Sequence, residues 1–455
     1  MRDSATPRLK IAVVGAGIAG LGAAWLLSRR HEVVIFEREE RLGGHAHTVE
    51  VETQHGSMPV DMGFIVFNER NYPNLVALFE HLGVATENSN MSFAVSLDDG
   101  RFEYASSYAG FLAQKPNMLR LDFLRMTRDI VRFNRLAQRL ARQGEELDFT
   151  IGEFVAEAGL SDAFRDNYLM PMASCIWSTP PGRMLDYPAL TLARFFDNHG
   201  LLTVGAQPQW RTVSGGSRAY VARLAGPMRQ QARAATPASA LVRQPQGVML
   251  RDVTGHWERF DKVVLACHAD QALALLHDAD ARERDLLGRF GYSSNEVWLH
   301  EDASLMPRRP RVWSSWNYVA WSGTASANVS VTYWMNRLQN LPSHTPLFVS
   351  VNPARQPAGR VHRRLVLEHP MYDAAAIRAQ RELHAIQGVR DTYYCGSYLG
   401  YGFHEDALSA GLDVAERLGV LRPWRRPEEH RAVGAPPRTV SAPDLRPSIP
   451  VPAGT

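Results

Sequence analysis

Residues 10–37, KIAVVGAGIAGLGAAWLLSRRHEVVIFE, constrain this chain more than any other stretch. A hydrophobic run ending at Val14 reads as a strand. Gly15, Gly17, Gly20 and Gly22 follow, then a helix, then a second strand closing at Glu37. A strand, glycine turn, helix and strand in so few residues commit the chain to a parallel pair with a crossover helix, hence to an α/β class. Each glycine has a separate task. Gly15 allows the turn, Gly17 lets backbone approach a pyrophosphate, and Gly20 lets helix and strand pack closely. The helix N-terminus at Ile18 and Ala19 offers unpaired N–H groups and a positive dipole to phosphate. Glu37, about twenty residues on, stands where both ribose hydroxyls of a dinucleotide could donate to it. The bland alternative is a packing turn that tolerates glycine. Residues 11–28 also lack charge, which imitates a signal peptide or anchor, but the four glycines and the following strand argue for a folded start.

The chain has 455 residues, 45% hydrophobic and 21% charged, enough for two domains with cores of their own. A formal net charge of +3 is too mild to argue for nucleic acid, and no nucleic-acid partner is expected. Lysine occurs only at Lys10, Lys115 and Lys262, which limits the catalytic groups available. Cys175, Cys267 and Cys395 are too few and too scattered to staple the fold or hold a metal, so a reducing, cytoplasmic compartment is expected. His45 and His47 form a His-x-His pair without a nearby carboxylate or cysteine set, and no metal is expected there.

Farther along, residues 70–82, 108–143 and 150–170 read as helices. FDKVVLACH (260–268) reads as a buried strand, 312–335 as sheet, and TYYCG (392–396) as a last strand before a helix ending at Gly419. From Arg422 proline recurs eight times, so residues 421–455 read as a Pro-rich disordered tail.

The stretch after Glu37, RLGGHAHT, resembles the extended flavin fingerprint, in which an Arg precedes paired glycines. DMGFIVF (61–67) resembles the Asp-x-Gly segment beside the isoalloxazine of flavin amine oxidases and phytoene-type desaturases. YYCGSYLGYGFHEDALSAG (393–411) resembles their C-terminal element, and TPASALVR (236–243) their return strand beside adenine. Together these stretches resemble the flavin-containing amine oxidoreductase superfamily, and within it a bacterial subgroup described as NAD/FAD-binding proteins.

The resemblance implies FAD as cofactor. It implies an α/β fold with a Rossmann-like, glutathione-reductase-like FAD-binding domain on a parallel sheet (8–90, 205–290 and 385–420). A discontinuous α+β substrate domain would comprise 91–204 and 291–384. The implied cofactor residues are Gly15, Gly17, Ile18, Ala19, Gly20, Glu37, Arg38, Arg41, Gly43, Gly44, His45, Gly63, Phe64, Ala238, Gly396, Ser397, Phe403 and His404. Three departures stand out. His45 replaces a second Arg, Ser397 replaces an acid, and Glu405 and Asp406 stand where the superfamily prefers small residues.

The resemblance also implies hydride removal from a substrate C–H bond, with the flavin as acceptor. Amine oxidation is one reading, weakened because no lysine is placed near the flavin. Desaturation of a lipid-like, fatty-acyl substrate is the other. Arg125, Arg128, Arg132, Arg135, Arg139 and Arg142 recur at spacings 3 and 4, which places them on one helical face suited to an anionic membrane surface, peripheral on the inner membrane. Trp313, Trp316, Tyr318, Trp321, Tyr333 and Trp334 form an aromatic set for a tunnel or a core. A third reading is a flavin-bound protein without catalysis. Asn68, Tyr72, His404 and Glu405 are the candidates for substrate positioning or proton transfer.

Overall fold

The computed structural model describes residues 7–54, 56–143, 149–203, 207–320 and 330–425. Strand Lys10–Val14, helix Ile18–Leu27 and strand Glu32–Phe36 form as the glycine pattern requires. The two strands pair in parallel with Ile11 opposite Val33 and Val14 opposite Phe36. A five-stranded parallel sheet grows around them, in the order Ala232–Arg233, Glu32–Phe36, Lys10–Val14, Lys262–Leu265, Thr392–Tyr394. Its central strands are covered on both faces, which explains their unbroken apolar runs. Every residue of Ile18–Leu27 is buried. The helix is clamped against the C-terminal helix His404–Arg417, and a Cβ on Gly411 would fall 2.1 Å from the Ala19 carbonyl oxygen. An antiparallel excursion, Ala238–Gln244, Gly247–Asp252 and Trp257–Phe260, interrupts the parallel sheet.

The second half is built on a seven-stranded sheet. Its order is Val361–Pro370, Tyr292–His300, Phe348–Val351, Val331–Trp334, Trp316–Ala320, Phe93–Leu97, Phe102–Ala105. Its pairings are antiparallel except for Phe93–Leu97 against Trp316–Ala320. Helices Leu121–Ala141, Met170–Trp177 and Ala189–Asn198 share a core around Phe133, Phe164 and Phe196. Met170–Trp177 is entered through one turn of π-helix, Arg165–Leu169.

The structure redraws three of the expected boundaries. The hairpin Thr48–Thr53 with Gly56–Asp61 lies inside the expected FAD-domain range, yet Val51, Met58 and Val60 pack into the core of the seven-stranded sheet. Helix Ala374–Glu382 was expected in the substrate domain. Ala376, Ala379 and Leu383 instead pack under the parallel sheet. The tail begins later than its prolines suggest: Trp424 stacks on Trp25 with ring centroids 6.0 Å apart, and Arg422 bonds Glu416 at 2.7 Å. The remainder of the expected tail, 426–455, lies outside the described residues, as does Trp321. Among the described residues, no helix is long and apolar enough to cross a membrane.

Candidate active site

A cavity of about 1430 Å³ runs between the two halves. Roughly 300–1,000 Å³ accommodates a drug-sized ligand, so this space takes a dinucleotide with room beyond it. Its first lobe is lined by the glycine turn. Gly15 adopts φ +101°, a Cβ on Gly17 would meet nothing within 4 Å, and a Cβ on Gly20 would fall 1.9 Å from the Gly15 carbonyl oxygen. Turn, open approach and tight packing are therefore divided among the three glycines as the motif requires. Ile18, Ala19, Arg38, Gly44 and Ala238 line the same lobe. Gly20 and Gly43 do not line it and act through packing.

Glu37 lies buried at the edge of this lobe. Its carboxylate accepts from the Ala16 N–H at 2.6 Å and the Glu39 N–H at 2.9 Å. Those bonds hold it beside the turn, where a ribose belongs in dinucleotide folds. Arg41 turns onto its own loop, donating to the carbonyls of Gly44 at 2.7 Å and Ala46 at 3.2 Å, and so braces the paired glycines. His45 Nε2 is buried at the cavity wall without a hydrogen-bond partner. A buried polar atom left so costs roughly 1–3 kcal/mol, and a polar cofactor atom at this wall would satisfy it. Burial, with His268 adding, pushes the His45 imidazole down to about 4, so it is a neutral donor or acceptor at physiological pH. An extended dinucleotide fits these residues, with His45 at the cavity wall where the family's pattern has an arginine.

The flavin-fingerprint loop and the Asp-x-Gly segment are stitched together. Phe64 N donates to the His45 carbonyl at 2.9 Å and Met62 N to that of His47 at 2.8 Å. A Cβ on Gly63 would fall 2.1 Å from the His45 oxygen. Asp61 is the knot behind them. Its carboxylate accepts from Thr48 Oγ1 at 2.5 Å, Ser217 Oγ at 2.7 Å and Gln339 Nε2 at 2.9 Å, tying both halves of the molecule. From the C-terminal element Gly396, Ser397, Phe403 and His404 reach the cavity. His404 stacks on Phe64 with centroids 3.9 Å apart and bonds the Tyr220 hydroxyl at 2.7 Å. Burial, then His45, pushes its imidazole down to about 3.

The candidates for proton transfer separate. Tyr72 and His404 line the cavity. Burial, then Asp406 and Glu405, pushes the Tyr72 phenol far above its ordinary range, so it acts only as a neutral hydroxyl. Asn68 does not reach the cavity; its Oδ1 accepts from Asn71 N at 2.8 Å. Glu405 turns away as well. Its carboxylate caps helix Pro73–Leu82, accepting from the N–H groups of Asn74 and Leu75, both at 2.9 Å. Its place at a helix start mimicked a functional acid, but the helix it serves is another one. Asp406 likewise accepts from Phe403 N at 2.9 Å, so that N–H is not free for a cofactor.

Beyond the dinucleotide the cavity becomes apolar. Met172, Cys175 and Ile176 form one wall, and Leu365, Leu367, Val297, Val349, Val351, Tyr333, Trp316 and Phe93 the other. These sheet residues come from six consecutive strands of the seven-stranded sheet. Five inter-strand gaps at about 4.8 Å give a lobe about 24 Å long. Arg363 and His369 stand on the edge strand at the cofactor end. Of the aromatic set, Trp316 and Tyr333 line the lobe, while Trp313 donates to the Pro307 carbonyl outside it. The strand VHRRLVLEHP carries Arg363, Leu365, Leu367 and His369 on alternate positions, a period-two signal that sequence reading passed over. The helix wall had no comparable signal. The lysines stand away from the cavity: Lys10 pairs with Glu258, Lys262 with Asp391, and Lys115 is exposed. Among the described residues no group of three or more His, Cys, Asp or Glu could hold a metal.

Known proteins agree with this geometry. The family model for flavin containing amine oxidoreductase matches residues 18–352. A protein of Mycobacterium tuberculosis named as flavin-containing monoamine oxidase AofH is 29% identical over 223 residues, and the match spans 46% of this chain and 46% of that one, about half of each. Among solved structures, a fatty acid isomerase from P. acnes superposes with TM-score 0.65 at 19% identity, covering 90% of this chain and 99% of that one. Cyclohexylamine oxidase from Brevibacterium oxydans gives TM-score 0.65 at 16% identity, over 90% and 100%. At these identities the superpositions speak for the fold. The chain belongs to the flavin-containing amine oxidoreductase family and is a flavin-dependent oxidoreductase, with FAD as its cofactor.

Proposed function

We propose that the enzyme dehydrogenates a lipid-like, fatty-acyl substrate. The observation that carries this reading is the second lobe: about 24 Å long, walled by aliphatic, aromatic and thioether side chains, with no Asp, Glu, Lys or Arg among the eleven sheet and helix residues that form its walls. One leaflet of a bilayer is about 15 Å of hydrocarbon, so the lobe takes an extended acyl chain. FAD, when bound, supplies the acceptor for the hydride. The protein's part is to align the chain, exclude water and hold neutral donors nearby. Trp316, Tyr333 and Phe93 confine the chain, and Met172 and Ile176 press it against the sheet. Tyr72 and His404, both neutral, are placed to orient the reacting end or pass a proton.

Oxidation of an amine is the runner-up, supported by the family name and by AofH. The lobe weakens it, because none of those eleven residues offers a carboxylate for a substrate ammonium, and Glu368 on the edge strand stands beside His268 at 3.5 Å. Anaerobic mixing decides between them. Fatty-acyl lipid is expected to bleach the oxidised flavin band. Bleaching by simple amines and not by acyl chains would move the assignment to an amine oxidase. A retained flavin that no reductant bleaches would identify a non-catalytic flavoprotein.

A further inference from the structure

The segment between the strand Phe102–Ala105 and the helix Leu121–Ala141 is unusual for a soluble surface. Tyr108 is 85% exposed, Leu119 91%, Leu121 60%, Leu124 52% and Met118 51%. Large apolar side chains displayed together in this way mark a docking site. The display is rigid rather than frayed. Gln114 is buried, accepting from Glu103 N at 2.6 Å and donating to the Arg101 carbonyl at 2.9 Å, and Asn117 is buried and donates to the Glu103 carbonyl at 3.0 Å. Phe111 packs on Phe123 with centroids 4.9 Å apart. Gln114, Asn117 and Phe123 are thus buried while Tyr108, Met118, Leu119, Leu121 and Leu124 face outward.

Charge names the partner. Arg101, Lys115, Arg120, Arg125 and Arg128 surround or follow the apolar residues, all exposed. Asp122 faces Arg125 at 3.7 Å, and Asp129 is buried under Arg128 and Arg132, so cations dominate the outer face. On the helix, Leu121 and Leu124 occupy the first turn and Arg125, Arg128, Arg132 and Arg135 continue the same face. Apolar side chains at one end and arginines behind them suit insertion into acyl chains with guanidinium groups at the phosphate level.

The position also fits the catalytic cavity. The far wall of the apolar lobe includes Ser92, Phe93 and Ser106. Ser106 N donates to the Phe93 carbonyl at 2.7 Å, and Ser107 then caps the short helix that begins with Tyr108. The end of the lobe remote from the dinucleotide is therefore two residues from the exposed patch.

We propose that residues 108–124, with the arginine face behind them, dock the enzyme on an anionic lipid bilayer and present the acyl lobe to it. The docking surface stands on the exposed residues alone; its use for delivering substrate rests on the lipid reading above. The test is flotation of the flavin-loaded protein with vesicles of phosphatidylcholine alone or mixed with phosphatidylglycerol. The wild type is expected to float with the mixed vesicles. A Leu119→Ser/Leu121→Ser/Leu124→Ser variant and an Arg125→Glu/Arg128→Glu/Arg135→Glu variant are each expected to float at least ten-fold less while keeping their flavin. A Val253→Ser change at a remote exposed apolar residue is expected to have no effect. A wild type that stays unbound to the mixed vesicles, or flavin-loaded variants that float as well as the wild type, would overturn the proposal. Bleaching of the flavin by detergent-dispersed acyl chains is read separately. Flotation without bleaching leaves the surface standing and removes the lipid-substrate reading, and the opposite pair does the reverse.

Discussion

The two lobes of the cavity are made in opposite ways. The dinucleotide lobe is largely backbone. Gly15, Gly17, Gly44 and Gly63 line it with main chain, Gly20 packs tightly behind them, and Glu37 is fixed by two backbone N–H groups. The apolar lobe is side chain. Six strands and one helix each contribute one to three residues, drawn from positions 93 to 367. A wall of backbone tolerates little substitution, because a Cβ added at Gly15, Gly20 or Gly63 meets main chain. A wall of side chains tolerates volume-conserving exchanges and fails mainly when overfilled. The same fold is found in a fatty acid isomerase and in a cyclohexylamine oxidase.

That contrast can be broken most severely at Gly20. A Gly20→Val change drives a side chain into the Gly15 carbonyl. It is expected to leave less than a tenth of the wild-type flavin per purified chain, and a normally flavinated variant would show that the glycine turn is not the cofactor wall. In the apolar lobe, Ile176→Trp should keep its flavin and, for the acyl substrate proposed above, raise KM about 10- to 100-fold, corresponding to the roughly 1–3 kcal/mol of overpacking. Equal losses of flavin and activity would mean that the lobes are not separable.

Acidification probes the histidines between the lobes. Burial pushes His45 down to about 4, and His369 and His404 to about 3. Their unfolded value is about 6.5, so below that pH the unfolded chain binds protons that the folded one refuses. Their contribution is complete above pH 6.5 and is lost as the pH falls toward 4. Asp61 and Asp406, raised by burial to about 6, act in the opposite sense, gaining stability as the pH falls through 6. Three larger shifts outweigh two smaller ones, so the unfolding midpoint is expected to be lower at pH 5 than at pH 7. A His404→Phe variant should flatten that dependence, and an identical slope would contradict the assignment.

The smallest effect is expected at Glu405. A Glu405→Gln change weakens the cap on helix Pro73–Leu82 by about 1 kcal/mol, lowering the unfolding midpoint by a few degrees. Turnover should be unchanged, since the carboxylate does not reach the cavity. A large loss of kcat with normal stability would restore Glu405 as a catalytic group.

Much of the first lobe was legible in the sequence because its determinants are local. Gly15, Gly17, Gly20 and Glu37 lie within one strand–helix–strand unit, and their spacing alone places them at one ligand. Even the substitution of His45 for arginine fell at a position the motif already pointed to. The second lobe was less legible. Trp316 and Tyr333 could be marked as tunnel or core but not assigned, and Met172, Cys175 and Ile176 carried no pattern. Arg363, Leu365, Leu367 and His369 showed strand alternation, without a clue to which face met the cofactor. Glu405 misled because a helix-capping acid and a catalytic acid look alike until the partner helix is placed.

Sequence by itself determined the α/β class, the cofactor turn and the arginine face of Leu121–Ala141, since each depends on residues within a few helical turns or one crossover. Tertiary structure decided the order of seven strands, the apolar lobe across them, and the outward turn of Met118, Leu119, Leu121 and Leu124 beside the end of that lobe. The reason is physical. Backbone geometry and periodicity are short-range properties of the chain. The shape of a cavity between side chains depends on which distant segments pack together, and that is settled only by the shared burial of residues far apart in sequence.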